Sequence, residues 1–216
     1  MTNTVSPDQP PPRGRPKDPA KRTAILKAAT TLFLRHGFTG TSMDAVAKQA
    51  GVSKLTVYSH FSDKETLFSS AIETTCRNLL PMPIFALEPH LTIRATLTKI
   101  SLAFLQLIHT PKVIELQRLM TSQAAQDPAM SQLFFEAGPQ RTVTAMENLV
   151  RNGNKVGLLQ ADNPKQAAEN FFSLLQGCEH MRVMIGCNAP MTASEAKPHA
   201  EQVVDMFLRA YGKEEQ

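Results

Sequence analysis

The residues best suited to chemistry lie in one short stretch, TSMDAVAKQAGVSKLTVYSHF, which runs from Thr41 to Phe61. Its second half has the spacing of a short helix and carries side chains that can donate hydrogen bonds to phosphate oxygens or to base edges: Lys54, Thr56, Ser59 and His60. A helix of this length fits across the major groove of DNA. The stretch therefore indicates a recognition helix.

Two helices joined by a tight turn would position these groups. Apolar residues recur at helical spacing on both sides of the turn: Met43, Val46, Ala47 and Ala50 before it, then Leu55, Tyr58 and Phe61 after it. Gly51 can adopt the left-handed conformation that ends a helix, Val52 fills the angle, and Ser53 can cap the next helix. The pattern predicts a helix-turn-helix. A plain αα-corner inside a helical domain has the same turn and the same apolar spacing.

Charge divides the chain into two parts. Residues 1–64 contain ten Lys/Arg against four Asp/Glu, a net charge of +6, whereas residues 65–216 contain thirteen against fifteen, a net charge of −2. The positive charge thus accompanies the helix-turn-helix, as binding of a polyanion requires.

The first 18 residues are polar and rich in proline, and they predict a flexible, basic arm. Within it, Arg13 and Arg15 belong to the sequence RGRP, which resembles the core of an AT-hook. Such an extended Arg-Gly-Arg lies along a narrow minor groove, beside a major-groove helix. A solubilising basic tail is the alternative.

Local signals predict the helices around the turn. Asp18-Pro19 begins a first helix, whose apolar stripe from Ile25 to Phe33 ends at Gly37 and should cover Val46 and Tyr58. Thr41 or Ser42 caps the second helix. The sequence Ser62-Asp63-Lys64-Glu65 predicts a capping box that opens a fourth helix, which ends at Pro81.

The rest of the chain has the pattern of helix after helix. These helices are predicted at about residues 89–109, 112–125, 128–137, 139–155, 164–186 and 194–211, and each boundary carries proline or glycine. Alternating β-branched runs are absent. The prediction is an all-α fold of about nine to ten helices.

Several classes of protein are disfavoured. The spacing of Cys76, Cys178 and Cys187 suits neither a disulfide framework nor a zinc site, and no cofactor is expected. A GxSxG motif, a metal-spaced His/Cys pair and a Gly-rich phosphate loop are all missing, which argues against an enzyme. The N-terminus has no apolar core of a signal peptide, and no apolar run approaches the roughly 20 residues that span a bilayer. We expect a cytoplasmic protein with no membrane partner.

The run RTAILKAATTLFLRHGFTGTSMDAVAKQAGVSKLTVYSHFSDKETLF, residues 22–68, resembles the DNA-binding domain of the TetR family of bacterial transcriptional regulators. Further along, FFEAGPQRT, the DNP before a long helix and VVDMFLRAYG look like the AefR-like branch. The resemblance implies a nucleoid-associated homodimer with a flexible arm (1–18), a three-helix helix-turn-helix domain (19–66) and a helical ligand-binding and dimerisation domain (67–216). Repression is the family's commonest mode.

The resemblance also implies roles for single residues. Thr41 and Ser42 would touch phosphate, while Lys54, Leu55 and Thr56 would face bases of a double-stranded, near-palindromic operator. Leu55 stands where small or polar residues are common in the family, and it could meet a thymine methyl group. The DNA backbone would be held by Tyr58, His60 and Lys64. As alternatives, the Tyr58 ring packs in the core, His60 is a capping or core-edge residue, and Lys64 is merely solvated.

Large flexible side chains predict an apolar pocket for a small-molecule effector. The candidates are Met82, Phe85, Phe104, Met120, Phe134, Phe135, Met146, Phe171 and Met181. For each of them, packing in the core is the alternative. Apolar residues on more than one face of the last two helices predict a dimer interface there: Phe171, Phe172, Leu174, Leu175, Cys178, Met181 and Ile185 on the first, and Val203, Val204, Phe207 and Leu208 on the second.

Two other functions remain open at the level of sequence. An oxidant sensor would use Cys76, although its helical spacing with Ile72 and Leu79 favours burial. An architectural binder of A·T-rich DNA would be led by the RGRP arm.

Overall fold

The computed structural model describes residues 18–213. Within that range the chain forms ten α-helices: α1 (Pro19–His36), α2 (Met43–Ala50), α3 (Lys54–His60), α4 (Lys64–Leu79), α5 (Ile93–Ile108), α6 (Pro111–Gln123), α7 (Pro128–Ala137), α8 (Pro139–Lys155), α9 (Pro164–Met184) and α10 (Ala193–Tyr211). A 3-10 turn, Met82–Phe85, separates α4 from α5. The all-α prediction is confirmed. In the same range, no helix is long and apolar enough to cross a membrane.

Residues 1–17, which include Arg13 and Arg15 of the RGRP sequence, lie outside the described range. The arm predicted for residues 1–18 therefore stays a prediction.

Side chains cap the helices near the predicted boundaries. Asp18 accepts a hydrogen bond from the Ala20 amide (2.9 Å) at the start of α1, where Pro19 is the first helical residue. The capping box expected at Ser62–Glu65 does not form, because α4 begins one residue later, at Lys64. Asp63 caps it by accepting from the Thr66 amide (2.7 Å).

The first of two apolar cores joins α1, α2 and α3 to the first half of α4. Phe33, Phe38 and Phe68 pack together in it, with ring centroids 5.1–5.9 Å apart. Leu116 and Met120 of α6 belong to the same core. Helices α1, α2 and α3 therefore share a core with α6.

The second core lies between α5, α8, α9 and α10. Phe171 packs on Phe207 (5.0 Å between centroids), and the Gln160 amide donates to the Tyr211 carbonyl (2.7 Å), which ties the end of α10 to the loop after α8. Leu80, just after α4, is buried in this core as well. Since residues at the two ends of α4 lie in different cores, α4 connects them. The domain boundary predicted at residue 66 stays a prediction.

Helix α9 is broken at Gly177, whose backbone angles (φ 50°, ψ −166°) are not helical. The sequence pattern predicts one uninterrupted helix, in which Met181 would share a face with Leu174, seven residues earlier. Because of the break, residues on the two sides of Gly177 do not follow one continuous helical repeat. Leu174 packs against the second core, whereas Met181 is 62% exposed.

Candidate DNA-binding surface and effector cavity

The turn between α2 and α3 has the geometry that its residues predict. Gly51 is left-handed (φ 67°, ψ 31°), and its N–H donates to the carbonyls of Ala47 and Lys48. Ser53 Oγ accepts from the Thr56 amide (3.1 Å) at the start of α3. Val57 is fully buried, which fixes α3 on the first core. The predicted helix-turn-helix is confirmed.

The outward face of α3 carries the groups expected to meet DNA. Leu55 is 80% exposed and Tyr58 is 43% exposed. The expectation that α1 covers the Tyr58 ring is wrong, because Val57 and Phe61 are the residues of this segment that enter the core. Leu55 and Tyr58 therefore leave an apolar and an aromatic surface free on the solvent side of the turn.

The polar groups of this face are held within the motif. Lys54 Nζ lies 2.9 Å from Asp44 Oδ1, and the hydrogen bond to Asp44 raises the pKa of Lys54. The hydroxyls of Thr56 and Ser53 are 2.8 Å apart. His60 is half-buried beside Phe61, with 6.3 Å between ring centroids. Lys54 thus pairs with Asp44 at the exposed surface in the absence of DNA.

Of the residues expected to contact phosphate, Ser42 is placed for that role and two others are not. Ser42 is exposed at the start of α2, where it accepts from the Ala45 amide (3.1 Å). Thr41 is only 2% exposed, and its hydroxyl donates to the Gly37 carbonyl (2.7 Å). Lys64 donates to the Phe38 carbonyl (3.0 Å) and lies 4.2 Å from the centre of the Phe38 ring. The structure thus gives Thr41 and Lys64 roles inside the fold.

A cavity of about 440 Å³ lies between α4, α5, α6, α7, α8 and α9. Its walls are mainly apolar, with Phe104, Phe134, Phe135 and Phe172 among them. Polar side chains are also present: Gln117 lies on α6, and Glu169, Ser173 and Gln176 lie on α9. This volume and lining are typical of a site for an apolar or amphipathic small molecule.

Three of the candidate pocket residues, Phe104, Phe134 and Phe135, line this cavity. The others do not. Met120 belongs to the first core, Phe85, Met146 and Phe171 are buried in the second core, and Met82 packs against the second core. Met181, which follows the break at Gly177, is exposed.

Some lining residues were missed from the sequence. Phe172, next to Phe171, faces the cavity and packs on Phe104 (4.6 Å between centroids). Two successive aromatic residues lie about 100° apart around a helix, and the sequence does not say which of them faces the cavity. Gln117, whose Oε1 is buried without a hydrogen-bond partner among the described residues, had no sequence signal at all.

The Cys76 thiol lies in the cavity wall. Burial raises the pKa of Cys76 to about 11. Since the thiolate is the reactive form of cysteine, this thiol is poorly suited to reaction with oxidants near neutral pH.

Helix α6 connects the parts of this arrangement. Leu116 lies both in the first core and in the cavity wall. Two residues later, the Arg118 side chain donates to the carbonyls of Val183 and Met184 (3.0 Å for Met184) at the end of α9. One helix therefore touches the first core, the cavity and the end of α9.

Three large apolar side chains at the last two helices are exposed to solvent. Met181 is 62% exposed, Ile185 67% and Met206 45%. The other apolar residues that suggested an interface on α10, Val203, Val204 and Phe207, are buried in the second core, and Leu208 packs against it. The exposed apolar patch, Met181, Ile185 and Met206, is thus smaller than the sequence indicates.

A helix-turn-helix domain packed on a helical domain that encloses a cavity defines a class of proteins, the DNA-binding regulators with a ligand-binding domain. Residues 25–71 match the family described as bacterial regulatory proteins, tetR family, and residues 95–213 match the AefR-like transcriptional repressor, C-terminal domain. The second match covers more than half of the chain. This protein belongs to the TetR family of transcriptional regulators.

Individual relatives agree with this assignment. The flavonoid-responsive regulator FrrA is 31% identical, with a TM-score of 0.71 over 89% of this chain and 97% of that chain. A TetR-family regulator from Mesorhizobium loti is 28% identical, with a TM-score of 0.75 over 90% and 99% of the two chains. The uncharacterised regulator YdeS of Bacillus subtilis is 39% identical over 71 residues, which span 33% of this chain and 36% of YdeS. Family members bind DNA, typically as homodimers with small-molecule effectors, and are regulators, not enzymes.

Proposed function

We propose that this protein is a repressor that binds a near-palindromic operator as a homodimer and releases it when a small apolar or amphipathic effector enters the central cavity. One observation carries the proposal. The helix-turn-helix with its exposed α3 face is packed on α4 and α6, and these two helices also form part of the cavity wall.

In the DNA complex, α3 would lie in the major groove. Lys54, Leu55 and Thr56 would face bases, while Ser42, Tyr58 and His60 would hold the backbone. Lys54 exchanges Asp44 for a DNA acceptor, which costs little because both side chains of the ion pair are about 60% exposed. The apolar Leu55 side chain suits a thymine methyl group.

The dimer would form through α9 and α10. The exposed Met181, Ile185 and Met206 supply apolar area for a partner, and a two-fold axis would bring the same patch of a second copy against them. Such a dimer would place its two α3 helices about 34 Å apart, one turn of DNA, so the operator would have two matching half-sites.

Aromatic molecules are the first class of effector to test. Phe104, Phe134 and Phe172 offer ring surfaces inside the cavity, and a relative of 31% identity is described as flavonoid-responsive. A planar aromatic molecule would stack on such walls, while Gln117, Ser173 and Gln176 offer hydrogen bonds to its polar substituents.

The effector would act by linkage. The effector binds best to the conformation in which α4 and α6 sit correctly around it. The operator affinity then falls by as much as the effector's own affinity differs between the released and the DNA-binding conformations. Since α4 joins both cores, a shift of α4 would alter the distance between the two α3 helices of the dimer.

The test is footprinting of the purified protein on the DNA just upstream of its own gene, at physiological salt. A protected near-palindrome is expected. Thr56→Ala and Tyr58→Phe should each weaken protection by about fivefold or more, which corresponds to the loss of one specific contact. Thr144→Ala, a change at an exposed threonine of α8, is the matched control.

Unchanged affinity in both α3 variants would show that this face does not read DNA. Loss of protection together with loss of the dimer would point to misfolding, so the size of each variant is measured by sedimentation. Salt-sensitive binding without any protected site would contradict a sequence-specific repressor.

The arm also enters this proposal. Arg13 and Arg15 are expected to add minor-groove contacts beside the operator. Changing both to Ala should lower the slope of log affinity against log salt by up to about 2. If removal of residues 1–17 abolished binding instead of weakening it, the protein would be an architectural binder led by the arm. The oxidant-sensor alternative is not adopted, because burial of Cys76 raises its pKa.

A further inference from the structure

A second opening lies between the DNA-binding half, which comprises α1, α2, α3 and the first half of α4, and the rest of the molecule. This cleft, of about 540 Å³, is formed by α1, α4 and the start of α6. Apolar side chains such as Leu26, Phe33 and Leu79 form part of its lining.

The charges along this cleft are of one sign. Arg22, Lys27, Arg77 and Lys112 line it, and none of its described lining residues is acidic. Arg77 pairs with Glu73 (2.8 Å), and the Arg22 guanidinium lies over the Phe61 ring (5.1 Å). Neither Lys27 nor Lys112 pairs with a carboxylate in residues 18–213. Two ammonium groups are therefore available to an anion.

Hydroxyl groups in the cleft do not compete for that role. Thr30 donates to the Leu26 carbonyl (2.9 Å), Thr74 to Ser70 (2.7 Å) and Thr110 to Gln106 (2.8 Å). The protons of these hydroxyl groups are thus used within their own helices. Lys27 and Lys112 remain as the charged donors best placed to bind a ligand that enters the cleft. Lys112 also lies in the first turn of α6, where the helix dipole favours negative charge.

The cleft and the central cavity share a wall. Ile72, Thr75 and Leu116 line both openings, so a single layer of side chains separates them. The cavity lining also carries the Glu169 carboxylate, on α9, which pairs with Lys165 (3.9 Å). The unpaired positive charge therefore lies on the cleft side of this wall, at α1 and α6.

We propose that the effector is an amphipathic organic anion, whose apolar body occupies the central cavity and whose negative group reaches past Leu116 into the cleft, between Lys27 and Lys112. This inference rests on the proposed function, and it names the chemistry and the orientation of the effector. Charge complementarity sets the orientation, since Lys27 and Lys112 attract the anionic end.

The position of the cleft gives this orientation a consequence for DNA binding. Lys27 lies on α1 of the DNA-binding half, while Lys112 lies on α6. An anion held between them binds both halves at once, so it favours the conformation that suits the ligand over the one that suits DNA.

A pair of fluorescent probes tests the proposal on the full chain. Anilinonaphthalene sulfonate has a fused aromatic body with one sulfonate, and phenylnaphthylamine has the same rings without the charge. The double variant Lys27→Gln/Lys112→Gln should lower the affinity for the sulfonate about tenfold, while the affinity for the neutral probe changes less than about twofold. Lys197→Gln is the matched surface control.

A further variant locates the body of the probe. Ser173→Trp places a large side chain at the cavity wall on α9, and it should weaken both probes. The proposal is overturned if the double lysine variant changes both probes equally or neither, or if Ser173→Trp leaves both unaffected. Circular dichroism of each variant verifies that it is folded.

These outcomes are separable from failure of the proposed function. Footprinting without any probe measures operator binding alone, so an absent operator would refute the repressor while leaving the probe results valid. Conversely, a protected operator combined with charge-independent probe binding would refute the anionic effector only.

Discussion

Acidification should destabilise this protein through one buried histidine, His180 of α9. Its side chain is 8% exposed, and its ring stands nearly perpendicular to that of His109, with 5.6 Å between centroids. His180 Nδ1 has no hydrogen-bond partner among the described residues. Burial, together with the neighbouring His109, lowers the pKa of His180 to about 4, and burial also lowers the pKa of His109.

The size of the effect follows from that pKa. The folded protein keeps His180 neutral, whereas the unfolded chain binds a proton as the pH falls below about 6.5. The free energy of unfolding therefore decreases as the pH falls below about 6.5, because only the unfolded chain takes up the proton. Below about pH 4 it changes no further, because the folded protein is then protonated as well. A single histidine shifted this far loses about 2 kcal/mol between pH 7 and pH 5, and screening by solvent reduces the expected loss to about 1–2 kcal/mol.

The assay is urea denaturation at pH 7, 6 and 5 of the wild type and of His180→Phe. Phenylalanine keeps a ring in the site but cannot be protonated, so the variant should lose about 1–2 kcal/mol less stability over this range than the wild type. His90→Gln, which removes an exposed imidazole, is the control. Equal losses in the wild type and in His180→Phe would refute the reasoning, since His180 would then not be the group that takes up the proton.

Three substitutions test other contacts by their effect on the free energy of unfolding. Ser53→Ala removes the cap of α3 and should cost about 1 kcal/mol, measured by urea denaturation. Gly153→Ala places a Cβ 2.8 Å from Cδ1 of the buried Leu159 and should cost about 1–3 kcal/mol, and an unchanged melting temperature would show that Leu159 moves freely. Lys64→Met should cost about 1–2 kcal/mol in the absence of DNA, because Lys64 binds the Phe38 carbonyl and ring; unaltered stability would return Lys64 to the DNA-contact candidates.

The helices and the helix-turn-helix were predictable because their signals are local. Asp18-Pro19 and Gly51 act on the backbone within a few residues of themselves, whatever surrounds them. Their effect is therefore visible in the sequence, and the structure places α1 and the turn after α2 where these residues indicate.

The direction of individual side chains was less predictable, because it depends on a rotation of about 100° per residue and on distant partners. Sequence spacing placed Tyr58 and Phe171 where Val57 and Phe172 lie. For Lys64, the partner is the carbonyl of Phe38, 26 residues away, and no local pattern reports such a contact.

The break at Gly177 affects how the sequence of α9 can vary among related proteins. Residues before it, such as Phe172 and Ser173, line the cavity, while residues after it, such as Met181, form the exposed apolar patch. In an unbroken helix, any change that rotates one segment also rotates the other. Here the break at Gly177 separates the segment that lines the cavity from the segment that carries Met181, so a substitution that rotates one segment need not rotate the other.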